Sequence, residues 1–299
     1  MTTDGPGDLK PAILPRSYQT EAATAGAAAL RKHGNTLAIL PTGAGKTVTA
    51  LLTAVEAGFD RLLILVHRDE LATQWIAAVA LVLGEVPVSL VNAAGKDWTG
   101  RIVVAMVPTA CRPQNLARMP GFGMVVVDEA HHVVADTWRA ILDAVRRRRR
   151  DARIYGCTAT PERGDRKGLR RVFSNVFFSL PLRDLVEQGF LVEPRAFTFD
   201  IAVAEAVDRA VRGASDFGEQ DAVAAVLNTE EANRHAVELW EEKAGNRRTI
   251  AFAANVAHAV ALEGAWKAAG VAAETLTGKP PGGTVPRSWG VWRAAGRRW

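Results

Sequence analysis

Cysteines and long apolar runs are both scarce in this sequence of 299 residues. The only two cysteines, Cys111 and Cys157, lie in different segments without CxxC spacing, which predicts two inert thiols rather than a disulfide framework or a zinc site. No apolar stretch approaches the roughly 18 residues that cross a bilayer, and the first residues lack the basic and then apolar pattern of a signal peptide. We therefore expect no membrane partner and a cytoplasmic location.

A large excess of charge of either sign is also missing, since the net charge is +5 and 23% of the residues are charged. With 48% hydrophobic residues, this is the composition of a soluble globular protein long enough for about two domains. The modest positive excess suits a polyanionic partner without requiring one. Part of it is the arginine run Arg146–Arg150, for which a solvated helix end is the favoured interpretation and phosphate contact the alternative.

Short runs of β-branched residues and leucine recur through the first half of the chain. They are nearly continuous in apolar character, as strands buried on both faces of a parallel sheet are, and amphipathic helical patterns lie between them. This alternation predicts a doubly wound α/β domain that binds ligands at the carboxyl ends of its strands. The predicted strands are Leu37–Leu40, Leu62–Val66, Val88–Val91, Ile102–Met106, Met124–Val127 and Ile154–Cys157.

The pattern loosens after Pro181, and the composition changes again at Gly278. We predict an N-terminal tail at 1–14, the α/β domain at 15–188, a connecting segment at 189–245 and part of a second α/β unit at 246–279. This second unit is predicted to contain a strand at Thr249–Ala253 and a helix at Asn255–Ala268. The tryptophan- and arginine-rich tail at 280–299 is interpreted as out-of-frame translation or a truncated gene model.

A glycine-rich turn follows the first predicted strand and opens a predicted helix, with the sequence Thr42-Gly43-Ala44-Gly45-Lys46-Thr47. The two glycines permit a tight turn whose backbone N–H groups point inward as an anion cradle, which the positive end of the following helix reinforces. In such a P-loop, Lys46 reaches the β- and γ-phosphates of a nucleotide and Thr47 offers its hydroxyl to the bridging Mg²⁺ ion. The segment therefore predicts a nucleotide-binding site.

An acidic motif, Asp128-Glu129-Ala130-His131, ends another buried strand. A carboxylate in such a place is costly unless it is paired or bound to metal, so Asp128 is the candidate for organising Mg²⁺. Glu129 is the candidate base that orients and deprotonates the water attacking the γ-phosphate. His131 is interpreted as a relay from these acids, with a buried structural histidine as the alternative.

These two motifs and the spacing of several others resemble those of superfamily 2 helicases of the DEAH type, nearest the type III restriction-enzyme and XPB-like branch. The resemblance runs from Pro15 to Gly278. It implies a RecA-like P-loop domain followed by an incomplete second RecA-like domain. It further implies adenine recognition by Arg16 and Gln19, nucleic-acid contact by His67, Arg68, Gln74 and Thr109, and coupling of hydrolysis to nucleic-acid binding by Thr158 and Thr160.

The same resemblance implies ATP and Mg²⁺ as cofactors and nucleic acid as partner, with DNA favoured over RNA. The family's motifs V and VI, whose arginines approach the γ-phosphate, are not found in the sequence. Because such an arginine contributes a factor of about 10³ or more in rate, slow hydrolysis and impaired unwinding are expected. The alternatives are a remnant that binds nucleotide or nucleic acid without motor activity, and a nucleotide kinase, against which the acidic motif and the Thr158 segment both argue.

Overall fold

The computed structural model of the chain describes residues 11–159, 169–170, 172–197, 219–245 and 247–277. Contacts divide the sequence into two compact units, Met1–Pro194 and Arg195–Trp299. The predicted coupling role of Thr160 and the interpretation of the tail at 280–299 concern residues outside these ranges. No helix within the described ranges is both long enough and apolar enough to span a bilayer.

The first unit contains a sheet of seven strands. The strands are β1 (Asn35–Ile39), β2 (Leu62–Val66), β3 (Val88–Val91), β4 (Ile102–Met106), β5 (Met124–Val127), β6 (Arg153–Thr158) and β7 (Val176–Ser179). They lie in the order β3-β4-β2-β5-β6-β1-β7, and every neighbouring pair is parallel. Their carboxyl ends therefore all lie at one edge of the sheet, where β6 separates the ends of β1 and β5.

Helices cover both faces of this sheet. They are α1 (Ser17–His33), α2 (Lys46–Ala57), α3 (Asp69–Leu83), α4 (Val107–Ala110), α5 (Pro113–Arg118), α6 (Asp136–Arg148) and α7 (Leu182–Glu187), with a short 3-10 turn at Ala130–His132. Strand β2 shows why both faces need cover, since Ile64 packs into one apolar cluster and the adjacent Leu63 and Leu65 into the other. All five β2 residues are buried. The predicted doubly wound α/β fold is confirmed.

The second unit contains helices in the part of it that the structure describes. These are α8 (Glu219–Leu227), α9 (Glu230–Ala244) and α10 (Val256–Ala268). The Thr229 hydroxyl caps α9 by accepting a hydrogen bond from the Ala232 N–H at 3.1 Å, and the Asn255 side chain caps α10 in the same way. Helices α9 and α10 pack together through an edge-on pair of rings, Trp240 and Trp266, whose centroids lie 6.4 Å apart.

The predicted strand at Thr249–Ala253 is wrong, because the structure assigns no strand to these residues. A strand exists only through hydrogen bonds to a neighbour, and none of the described residues after Pro194 lies in a strand that could pair with this segment. Its apolar side chains are accordingly exposed: Ile250 retains 71% and Phe252 93% of its accessible surface. The helix predicted at Asn255–Ala268 is confirmed, with Asn255 as its cap.

Candidate functional site

The predicted P-loop connects β1 to α2 at the carboxyl edge of the sheet. Gly43 and Gly45 have φ angles of 86° and 73°, which lie in the left-handed region that side chains disfavour. Gly45 is the cap of α2, and Lys46 and Thr47 are the first two residues of that helix. Their backbone N–H groups lack partners within the helix, so this end of α2 has the chemistry of an anion site. Thr42 and Gly43 are exposed at the turn, whereas Ala44 is buried.

The buried Ala44 carbonyl is held by two side chains from the start of α1. It accepts hydrogen bonds from the Tyr18 hydroxyl at 2.8 Å and from Gln19 Nε2 at 3.3 Å. Arg16 joins this group, because its guanidinium donates to the Tyr18 hydroxyl at 3.1 Å. Gln19 is only 5% exposed and lies against Gly45, so its amide contacts the P-loop itself in this structure. Adenine recognition by Arg16 and Gln19 stays a prediction.

Of two residues that follow α7, Leu191 contacts the P-loop and Phe190 packs on the side chains that hold it, which no local sequence pattern predicted. The Phe190 ring packs edge-on against Tyr18, with 5.1 Å between centroids, and lies 5.3 Å from the Arg16 guanidinium carbon. Leu191 lies so close to Gly43 that a β-carbon on that glycine would be 3.0 Å from Leu191 Cδ2. The segment predicted to begin a connection between domains therefore packs on the P-loop region within the first unit.

Asp128 follows β5 and is nearly buried, with 6% of its surface exposed. Its Oδ2 accepts a hydrogen bond from the Trp75 indole Nε1 at 2.8 Å, and its Oδ1 accepts one from the Glu129 N–H at 2.9 Å. Glu129 has a φ of 49° and is the only non-glycine residue with positive φ in the described ranges. A non-glycine residue in this region costs about 1–3 kcal/mol, and such strain concentrates at active sites.

His131 joins the acidic motif to the end of β6. Its Nδ1 lies 3.3 Å from Glu129 Oε2 and 3.2 Å from the Thr158 hydroxyl. Thr158 is fully buried, and strand register sets it beside Ile39, the last residue of β1. The candidate base, the candidate relay and one of the two predicted coupling residues therefore form one connected group. Their roles stay predictions.

The predicted nucleic-acid contacts lie at the same edge but differ in exposure. Arg68 and Gln74 are exposed, His67 is half-buried, and Thr109 is 6% exposed, with its carbonyl accepting a hydrogen bond from the Asn115 side chain. The His67 ring packs 4.9 Å from the His132 ring. Burial, followed by the nearby His132, lowers the pKa of His67. Of these four residues, Arg68 and Gln74 are the most accessible to a partner.

The donor set fits a nucleotide-bound Mg²⁺ ion rather than a metal held by protein alone. Within the described ranges, no three histidine, cysteine or acidic side chains are grouped so that they could hold a metal ion. Mg²⁺ is usually bound through one or two carboxylates together with phosphate oxygens and waters, and Asp128 offers one nearly buried carboxylate. Thr47, at the amino end of α2, is the candidate second ligand.

Residues 12–163 match the profile of the family described as the type III restriction enzyme, res subunit. The chain is 26% identical over 281 residues to IRC3 of Saccharomyces cerevisiae, whose name describes an ATP-dependent helicase, across 88% of this chain and 40% of that protein. It is 30% identical over 159 residues to the DNA 3'-5' translocase XPB2 of Sulfurisphaera tokodaii, across 53% of this chain and 34% of that protein. The chain thus spans less than half the length of these curated relatives.

A solved structure has the same fold. A fragment described as an HsdR subunit of a type I restriction enzyme from Vibrio vulnificus aligns with a TM-score of 0.60 and 21% identity, across 87% of this chain and 46% of that one. At this identity the likeness shows the fold alone, which is RecA-like. The matched residues 12–163 contain both the P-loop and the acidic motif, and the chain belongs to the type III restriction enzyme res-subunit family of superfamily 2 helicases.

Proposed function

We propose that this chain binds ATP at the P-loop and hydrolyses it in response to nucleic acid. The family is one of helicase-type ATPases, and the site supports the same activity for this chain. The observation that carries the proposal is the connected group at the end of β5 and β6, in which His131 lies within 3.3 Å of both Glu129 and Thr158. A strand end with only a structural role has no need for a carboxylate in a strained backbone conformation, such as Glu129, beside a histidine.

Each group at the edge has a role that its chemistry permits. Lys46 and the N–H groups at the start of α2 bind the phosphates, because they combine a cation with unpaired donors. Mg²⁺, when bound with the nucleotide through Thr47 and Asp128, supplies charge stabilisation to the phosphates. Glu129 orients the attacking water and accepts its proton, since phosphoryl transfer needs positioning above all. His131 contacts both Glu129 and Thr158, so a shift of β6 would change the position of the Glu129 carboxylate.

Nucleic acid is the proposed activator, and DNA is favoured over RNA. Arg68 and Gln74 are exposed at the same edge of the sheet as the nucleotide site, so a bound strand there would lie near the residues that react. The relative XPB2 is named as a DNA translocase, which supports DNA as the partner of this chain. We further propose that hydrolysis is slow, because motifs V and VI are not found in the sequence. A cytoplasmic location is a separate proposal.

An ATPase assay with and without nucleic acid tests this proposal. The chain is incubated with Mg-ATP alone, with single- or double-stranded DNA, and with RNA of matched length, and phosphate release is measured. We expect a low rate that DNA raises more than RNA does, and that Lys46→Ala abolishes. A rate that neither DNA nor RNA changes, and that equals the rate of Lys46→Ala, would refute the motor ATPase and leave a binding remnant.

A further inference from the structure

We propose that Trp75 positions the Asp128 carboxylate for the nucleotide-bound metal ion, an inference that rests on the proposed ATPase function. Trp75 lies on α3, and Asp128 follows β5. The indole Nε1 donates to Asp128 Oδ2 at 2.8 Å, although the two residues are 53 positions apart. Trp75 is 1% exposed, so water cannot easily replace this donor.

The two oxygens of the Asp128 carboxylate are held by different donors. Oδ2 accepts from the indole, whereas Oδ1 accepts from the Glu129 N–H at 2.9 Å and, more weakly, from the Cys157 thiol at 3.7 Å. Donors on both oxygens fix the rotation of the carboxyl group about its bond to the chain. A carboxylate oxygen can accept two hydrogen bonds, so Oδ2, with the indole as its one donor, keeps a lone pair for a metal ion or for a water bound to it.

An indole N–H is well suited to this task. It donates and never accepts, so it can only serve as a donor to a carboxylate oxygen. The ring is large and is packed in the apolar cluster formed by α1, α2 and α3, which leaves it little freedom to turn away. Metal-binding carboxylates generally depend on such hydrogen-bond partners, and loss of a partner weakens metal affinity or activity by about 10- to 100-fold.

The alternative is that Trp75 is only a core residue whose indole takes the nearest acceptor. The chain contains its own comparison, since the Trp98 indole is also buried, at 7% exposure, and its Nε1 has no hydrogen-bond partner among the described residues. Trp98 packs beside Phe122 in the apolar cluster on the other face of the sheet. Trp75→Phe and Trp98→Phe therefore remove the same atoms from two buried sites, only one of which holds a carboxylate.

The experiment measures nucleotide binding as a function of Mg²⁺ rather than turnover. A fluorescent, non-hydrolysable ATP analogue is titrated with MgCl₂ in the presence of the wild-type chain, Trp75→Phe or Trp98→Phe, and thermal unfolding of each is recorded. We expect Trp75→Phe to raise the Mg²⁺ concentration for half-maximal binding by about tenfold, from the effect of losing a ligand's hydrogen-bond partner. Binding without Mg²⁺ stays the same, and Trp98→Phe keeps the wild-type Mg²⁺ midpoint.

The outcomes separate this inference from the proposed function. If the wild type shows Mg²⁺-dependent binding and Trp75→Phe shares its midpoint, the positioning role is overturned while the ATP site stands. If Trp75→Phe and Trp98→Phe shift the midpoint equally, the effect is one of packing and the role is again overturned. If the wild type binds no analogue at any Mg²⁺ concentration, the proposed function fails and the inference fails with it.

A second measurement covers the case in which Trp75→Phe does not fold. The indole nitrogens are labelled with ¹⁵N, and Trp98→Phe identifies the Trp98 signal among the eight tryptophans of the chain. We expect one other indole signal to move in Asp128→Asn, because its acceptor loses its charge, and the same signal to move in the wild type when Mg²⁺ and the analogue are added. The absence of a signal that responds to both changes overturns the role of Trp75.

Discussion

Removing the hydroxyl of Tyr18 is expected to lower the free energy of unfolding by about 1–2 kcal/mol and to weaken nucleotide binding. The hydroxyl donates to the Ala44 carbonyl at 2.8 Å in a buried setting, and a hydrogen bond of this kind contributes about 0.5–1.5 kcal/mol. It also accepts from the Arg16 guanidinium at 3.1 Å, which adds a partly exposed charged bond. Tyr18→Phe keeps the ring and its contact with Phe190, so only these two hydrogen bonds are lost.

Tyr155, the only other tyrosine, supplies the matched control. Its hydroxyl is buried, lies near the Thr53 hydroxyl and has no partner in hydrogen-bond geometry among the described residues. The Thr53 hydroxyl donates to the Thr49 carbonyl at 2.8 Å instead. Burial raises the pKa of Tyr155 well above its ordinary value, so the group stays neutral. Tyr155→Phe removes an unsatisfied polar atom and is expected to leave the free energy of unfolding unchanged or raised.

Urea unfolding of the wild type and both variants, each with and without Mg-nucleotide, measures the difference. We expect Tyr18→Phe to shift the midpoint down and to gain less stability from nucleotide than the wild type, because the P-loop is less well held. Tyr155→Phe is expected to gain as much as the wild type. Equal midpoints for the two variants, or a larger loss for Tyr155→Phe, would show that the hydrogen bonds to Ala44 and Arg16 do not hold the P-loop.

Three further predictions follow from the first unit. Gly156→Ala places a β-carbon 2.4 Å from the Phe173 ring, and calorimetry is expected to show a loss of about 1–3 kcal/mol from overpacking. The pKa of His67 is below its ordinary value of 6.5, so the unfolded chain binds a proton at this residue more readily than the folded chain. The contribution of His67 to the free energy of unfolding is therefore fully present above pH 6.5 and is lost as the pH falls below 6.5. His67→Gln is expected to flatten this fall in urea titrations between pH 7 and pH 5. Glu129→Gln should keep nucleotide affinity and lower the hydrolysis rate by about 10²- to 10⁴-fold in a phosphate-release assay, because a general base is lost.

The sequence allowed the parallel sheet and the position of the P-loop to be predicted, because both are written in short local patterns. The runs that became β2, β4 and β5 are apolar along their whole length, as burial on both faces requires. The strand at Thr249–Ala253 has the same local character and was wrongly predicted, since a strand also needs a neighbour that no local pattern contains.

The contacts that hold the site together could not be predicted from local sequence patterns. Trp75 and Asp128 are 53 positions apart, and Tyr18 and Ala44 are 26 apart, so no periodicity joins either pair. Phe190 reaches Arg16 and Tyr18 only because β7 and α7 return the chain beside β1. These contacts depend on the order of strands in the sheet, which the sequence pattern left open.

That strand order also has a consequence for synthesis on the ribosome. The P-loop strand β1 leaves the ribosome first, yet both of its neighbours, β6 and β7, are made more than 100 residues later. Until Thr158 has emerged, the nascent chain carries β1 with both edges unpaired, and one edge stays unpaired until Ser179 has emerged. Exposed strand edges of this kind recruit chaperones and promote aggregation. We expect nucleotide to protect nascent chains from proteolysis only when they are long enough to have released β7. The proposed ATP site is then completed late in translation, although its P-loop is made early.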